Sequence, residues 1–365
     1  MNDRVLAGGK AADGRSAVRR WLSLNLLLVF VPVAVGLDLV RVSPILVFGV
    51  ALLALIPLAV LLSKATEHLS VRTNPTIGSL FNATTGNIIE ILIALFAIRA
   101  GLLAVVKASI TGSILVNVLL LIGLSVFIGG FRYKEQEFNR KAVGIASSML
   151  LVAITGMAIP TVFGLTSRQP AESLSLAISL ALGVIYVLSL VFTVFTHKGV
   201  FVVDRVADDE THPWSVPKAF GVLVLGTVAA AVLSEVLVGV IEPVSQRLGL
   251  TQAFIGLVVI AIVTNIAEKI AAVTYALKGK IDLSLNIGMN SATQVALFAV
   301  PILVLLGFLL GQPLNLVFSP YEMVAMVVSV IILNHIAADG DCNWLEGAEL
   351  LTVYLLVITT FYFLK

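Results

Sequence analysis

The sequence predicts an all-α polytopic membrane protein of about eleven transmembrane helices: one extra N-terminal helix, then two inverted five-helix repeats. Three observations carry this. Of 365 residues, 59% are hydrophobic and only 12% charged, against roughly 45–50% and 25% in soluble domains. Apolar runs of the length a bilayer requires, about 20 residues each, recur along the whole chain. One polar pattern occurs twice, in runs that cross the membrane in opposite senses. The 23 basic and 21 acidic residues leave a net charge of +2, too little to hold a nucleic acid. The single cysteine, Cys342, forms no internal disulfide, and no Cys-x-x-Cys or His-rich tract offers structural zinc.

The runs centre on 22–40, 44–63, 76–98, 103–130, 142–163, 174–196, 216–241, 251–277, 283–311, 321–338 and 346–364. The first follows a basic arm (Arg15, Arg19, Arg20) and is read as a retained helix, not a cleaved leader. With the N-terminus inside, sixteen Lys and Arg residues fall on the cytoplasmic side and six on the other, with Lys269 within a span. The positive-inside rule therefore places the N-terminus in the cytoplasm and the C-terminus outside. Short loops suggest a bacterial or archaeal plasma (inner) membrane. The expected divisions are 1–43 (basic arm and first helix), 44–197 (first repeat), 198–215 (acidic linker) and 216–365 (second repeat). The linker, with Asp204, Asp208, Asp209 and Glu210, is either a cation sensor or a solvated connector.

The repeated pattern reads Gly86-Asn87-Ile88-Ile89-Glu90 and, later, Thr264-Asn265-Ile266-Ala267-Glu268. A polar helix follows each copy, and the 23 residues from Glu90 to Ser113 recur from Glu268 to Ser291. Five spans separate the copies, and an odd number inverts the second relative to the first. Inverted copies meeting near the midplane are an arrangement of many secondary transporters.

Acidic groups at membrane depth are expensive and are functional candidates by default. Each Asn precedes its Glu by three residues, so the two share a helix face. Carboxylate and amide oxygens suit a hard cation such as Ca²⁺, and Gly86 can open the helix to expose carbonyls; Thr264, whose β-branch changes the local kink, holds the equivalent place in the second copy and is the matching candidate. The alternative is a simple hydrogen bond between helices. Ser113 with Asn117, and Ser291 with Gln294, either extend the site or bind helices together. Glu235, Glu67 and Glu242 either relay protons and guard access or cap helix ends. Lys269, beside the second Glu, must pair with a carboxylate (Glu90 or Glu235), lose its proton, or snorkel towards Lys278 and the cytoplasm.

Gly86-Asn87-x-x-Glu90, with Ser109-Ile110-Thr111-Gly112-Ser113 and Asn117-Val118-Leu119-Leu120, resembles the first signature of the calcium/cation–proton exchanger family of the cation/calcium antiporter superfamily. Ala276 to Leu283, then Gln294-Val295-Ala296-Leu297-Phe298 and Pro301, resembles the second signature, and Asn343-Trp344-Leu345-Glu346-Gly347 the family's tail. The resemblance spans roughly residues 50–365. It implies an eleven-helix antiporter moving Ca²⁺ against H⁺, with Glu90 and Glu268 as alternating cation and proton sites and Asn87 and Asn265 beside them. The second signature usually has Gly at the position of Thr264 and His at that of Lys269.

The expected function is therefore secondary antiport, with membrane lipid, a cation and protons as partners, no nucleic acid and no cofactor beyond the transported ions. Lys269 favours a second reading within the superfamily, a monovalent-cation or Na⁺-coupled exchanger. A Mg²⁺-dependent membrane enzyme would use Asp208-Asp209-Glu210 or Asp339-x-Asp341, but no paired Asp-rich helix motif surrounds them. A passive channel would need a filter ring, and no such repeat is present.

Overall fold

The computed structural model describes residues 26–72, 85–197 and 214–364. The basic arm, the first part of the 76–98 run and nearly all of the acidic linker lie outside the described residues. Each predicted run meets a helix: α1 Leu27–Leu39, α2 Pro44–Arg72, α3 Ile88–Arg99, α4 Leu103–Gly130, α5 Arg140–Thr166 and α6 Glu172–Thr196 in the first part. The second part holds α7 Val216–Leu248, α8 Gln252–Thr264, α9 Ile266–Leu277, α10 Ile281–Leu309, α11 Pro320–Ile336 and α12 Trp344–Phe363. Seven of these are long and apolar enough to cross a membrane alone, and α8 with α9 forms an eighth, bent by 57°. The single helix expected over 251–277 is thus broken. The chain is an all-α polytopic membrane protein.

Local chemistry explains where helices begin and stop. Ser319 accepts from the Glu322 backbone N–H, and the Glu322 carboxylate accepts from the Ser319 N–H at 2.8 Å, with Pro320 at the first helical position of α11. Asn343 and Glu346 build the same reciprocal cap on α12, which satisfies donors a helix start leaves unpaired. Gly249, at φ +65°, ends α7 in the left-handed region that glycine enters without a Cβ penalty.

Among the described residues four helices widen into π-helical turns: Val116–Leu121 in α4, Phe192–Thr196 in α6, Ile255–Ile260 in α8 and Val295–Ala299 in α10. Such turns frequently mark functional sites. Two short strands, β1 Gln136–Glu137 and β2 Asp341–Cys342, pair antiparallel, with Gln136 opposite Cys342. They tie the loop after α4 to the one after α11.

The interior is dominated by α4, whose Val105 to Leu119 stretch is almost wholly buried. Against it packs the π-helical turn of α8, brought close by missing side chains. A Cβ on Gly112 would lie 2.2 Å from the Leu257 carbonyl oxygen, and one on Gly256 would lie 2.9 Å from the Val105 oxygen. Only glycine permits backbones to approach so closely.

Candidate functional site

Both Asn-x-x-Glu motifs open a helix. Asn87 is the N-cap of α3 and Asn265 that of α9, with Glu90 and Glu268 in the respective first turns. Before α3 the Gly86-Asn87 pair forms a turn; before α9 the break falls at Asn265, whose φ of −94° and ψ of 15° leave the helical region. Each carboxylate thus sits at the positive end of a helix dipole, where anionic groups are stabilised.

Neither Asn caps its own helix through its side chain, as an N-cap Asn ordinarily does. Both reach across the site instead. Asn265 Nδ2 donates to Glu90 Oε1 at 2.5 Å, and Asn87 Nδ2 donates to Gln294 Oε1 at 3.1 Å. Asn117 Nδ2 donates to Asn265 Oδ1 at 3.0 Å and to Ser291 Oγ at 2.9 Å. Ser113 Oγ donates to Glu90 Oε1 at 2.9 Å and Thr264 Oγ1 to the same oxygen at 3.3 Å. One polar network therefore joins Glu90, Asn265, Thr264, Ser113, Asn117 and Ser291, and Asn87 with Gln294 forms a separate pair beside it.

This network leaves specific oxygens over. Asn87 Oδ1, Asn117 Oδ1 and Glu268 Oε2 are buried with no hydrogen-bond partner. Nearly all buried polar atoms in proteins are paired, so unpaired acceptors call for an explanation; oxygens that want a positive charge supply one here. Glu90, Glu268, Gly86, Thr264, Ser291 and Gln294 line a shared cavity of about 260 Å³. Among the described residues no three His, Cys, Asp or Glu side chains gather as a metal group. Two carboxylates, amide oxygens and hydroxyls are the donor set, a mixture suited to hard cations.

Lys269 is 6% exposed and does not snorkel. Its Nζ donates to the Ile262 carbonyl oxygen at 3.2 Å, across the break between α8 and α9, and the charges acting on it are those of Glu268 and Glu90. The expected pairing with Glu235 is not formed. Glu235 and Glu242 lie on exposed faces of α7 and Glu67 on an exposed face of α2, and none of the three lines the cavity. Glu235 faces away because its neighbours Leu233, Ser234, Val236 and Leu237 take the buried side of α7.

The cavity also holds residues that the sequence reading passed over. Asn286 and Asn290 of α10, Ser63 of α2 and Thr85 line it. The four-residue spacing of the two Asn residues, in phase with Gln294, was the available signal.

The chain is similar to known proteins along most of its length. The profile of the family described as sodium/calcium exchanger protein matches residues 43–195 and 218–363. The "Ca(2+)/H(+) antiporter" of Synechocystis sp. is 40% identical over 362 residues, covering 92% of this chain and 96% of the relative. The protein of the same name from Aphanothece halophytica is 38% identical over 355 residues, covering 92% and 95%. The solved structure of native YfkE superposes with a TM-score of 0.82 at 36% identity, covering 93% of this chain and all of the other.

Proposed function

Because this chain belongs to the sodium/calcium exchanger protein family, we propose that it is a secondary antiporter exchanging Ca²⁺ for H⁺, with Glu90 and Glu268 as the exchanging groups. The observation that carries the proposal is the pair of helix-start carboxylates facing one cavity beside unpaired buried oxygens. Two like charges at close quarters repel when both are bare. A divalent cation relieves that repulsion, and so do protons, but the two occupants compete for the same oxygens. Mutual exclusion at one site couples the fluxes.

Asn87, Asn265, Ser113, Asn117, Ser291 and Gln294 orient the carboxylates or offer further oxygens. The cavity extends from the glutamates towards Leu283 and the turn at 278–280, about 16 Å along α10 from Gln294 at 1.5 Å per residue. Away from it, the glycine seam between α4 and α8 is tightly packed. This supports a state open to one side, as alternating access requires. We take 44–197 and 216–365 as the moving halves, a division supported by the two separate stretches of the family match. The distribution of Lys and Arg supports a cytoplasmic N-terminus and an external C-terminus in a bacterial-type inner membrane, with the cavity then open to the cytoplasm.

The buried amine of Lys269, where the family signature usually has His, favours a second reading in which a monovalent cation replaces the proton. Purified protein in liposomes with an imposed pH gradient separates the two. Gradient-driven Ca²⁺ uptake that disappears in Glu90→Gln and in Glu268→Gln supports Ca²⁺/H⁺ exchange. Uptake that follows a Na⁺ gradient and ignores pH would favour the second reading, and no flux under either gradient would refute antiport.

A further inference from the structure

We propose that Asn290 and Asn286 form a second cation site, a staging site on the wall of the cavity between the 278–280 turn and the two glutamates. The proposal rests on the antiport reading for the identity of the ion and on geometry for its existence.

Asn290 lies in the middle of α10 within a membrane span, yet its side chain is exposed to the cavity and makes no hydrogen bond to any described residue. An amide without a partner is costly away from water, so Asn290 is placed where a hydrated ion or water meets it. One turn back, Asn286 Nδ2 donates to the Asp282 carbonyl oxygen at 2.9 Å. That bond occupies the amide nitrogen and leaves Oδ1 for the cavity. Residues four apart share a helix face, so the two amides line one wall of the same cavity, with the unpaired Glu268 Oε2 further in. Neutral carbonyl oxygens in a wet cavity hold a divalent cation loosely. Weak binding suits a site that strips part of the hydration shell and passes the ion on.

The repeat supplies an internal control. The offset that carries Glu90 onto Glu268 and Ser113 onto Ser291 carries Ala108 onto Asn286 and Gly112 onto Asn290. In the first half those positions are packed shut: Gly112 against the Leu257 backbone, and the Ala108 Cβ 3.1 Å from the Cβ position of Gly256. The amides therefore occur in the half where helix packing leaves room, and not in the half where the same positions form the closed seam. The site belongs to one access route, not to the central pair of carboxylates.

Ca²⁺ uptake into everted vesicles carrying the full chain tests this, since such vesicles present the cytoplasmic face to the medium. Asn290→Ala should raise the half-saturating Ca²⁺ concentration about tenfold, with the change falling there and not on the maximal rate. Asn290→Asp, which adds charge at the same place, should lower it below that of the parent. An unaltered half-saturating concentration in both variants overturns the proposal, as does a loss of maximal rate alone. If the parent shows no Ca²⁺ uptake, the antiport reading fails separately. Mn²⁺ binding to the purified, detergent-solubilised chain, followed by electron paramagnetic resonance, then decides the staging site. Binding must weaken in Asn290→Ala and tighten in Asn290→Asp, and identical binding in all three forms overturns it.

Discussion

Asn265, at the break of the second half, donates its side-chain amide to Glu90 of the first at 2.5 Å. The bond makes the two halves share one carboxylate. It also makes them unequal: Glu90 Oε1 takes donors from Ser113, Thr264 and Asn265, whereas Glu268 has a side-chain hydrogen bond with Ser291 and leaves Oε2 without a donor. Hydrogen bonds to a charged group contribute about 1.5–3 kcal/mol. Asn265→Ala should therefore lower the rate of gradient-driven Ca²⁺ uptake about tenfold or more, while Asn265→Gln, which keeps the amide, recovers part of it. A rate in Asn265→Ala equal to that of the parent would show that the bond has no part in transport.

Thr264 is a lesser donor. Its hydroxyl is shared between Glu90 Oε1 at 3.3 Å and the carbonyl oxygens of Ile260 and Ala261 at 3.1 and 3.4 Å. Thr264→Val, similar in shape and without the hydroxyl, should cost about 1 kcal/mol, roughly a fivefold loss of uptake and less than that of Asn265→Ala. A loss equal to or larger than that of Asn265→Ala would reverse the order of importance argued here.

Lys269→Gln keeps a donor for the Ile262 carbonyl and removes an amine that can carry positive charge beside the carboxylates. Like charge repels an incoming cation, strongly where the surroundings screen poorly. The variant should bind Ca²⁺ several-fold more tightly, as seen by calorimetric titration. It should also unfold at lower temperature in chelator, since the carboxylates lose their internal counter-charge, and Ca²⁺ should restore the difference. Equal affinity in both forms would remove Lys269 from the electrostatics of the site.

Gly112→Ala would push a methyl carbon to 2.2 Å from the Leu257 oxygen, a clash with backbone that cannot rotate away. Overpacking of this kind costs about 1–3 kcal/mol, and Ser113 next to it would shift from Glu90. A thermal unfolding scan in detergent should show a lowered midpoint, whereas Gly221→Ala, with nothing within 4 Å of the added carbon, should not.

At the membrane surface, burial pushes the Cys342 thiol up to about 12, helped by the charges of Glu346, Asp341 and Asp282. A raised native value means that the thiol contributes stability fully below its ordinary value of 9.0 and loses it as pH rises from there towards 12. Thiolate is the reactive form, so maleimide at pH 8 should label native protein far more slowly than protein unfolded in denaturant. Equal labelling rates would contradict the burial of Cys342.

The helices were legible because hydrocarbon demands long apolar runs, and the runs met helices. Their ends were less so: α2 continues to Arg72 and α7 to Leu248, since helical hydrogen bonding persists beyond the apolar stretch into polar residues. The π-helical turns left no mark in composition. The paired Asn-x-x-Glu motifs were readable from spacing alone. Their partners were not, because Asn265 and Glu90 are 175 residues apart and Asn87 and Gln294 are 207 apart. Spacing along one helix fixes a face but not what faces it. For the same reason Glu235 looked like a candidate from its apolar context and proved to lie on an exposed face.

The π-helical turns at Val116–Leu121 and Val295–Ala299 begin three residues after Ser113 and four after Ser291, and both end eight residues after the serine. A π-helical turn closes its hydrogen bonds one residue later than an α-helical turn, so in each half it resets the face that follows relative to the face that bears the serine. Features that differ between the copies are Lys269 against Ile91 and Asn290 against Gly112. The two copies thus share a widened turn and a carboxylate and differ in the amine and the amide set beside them.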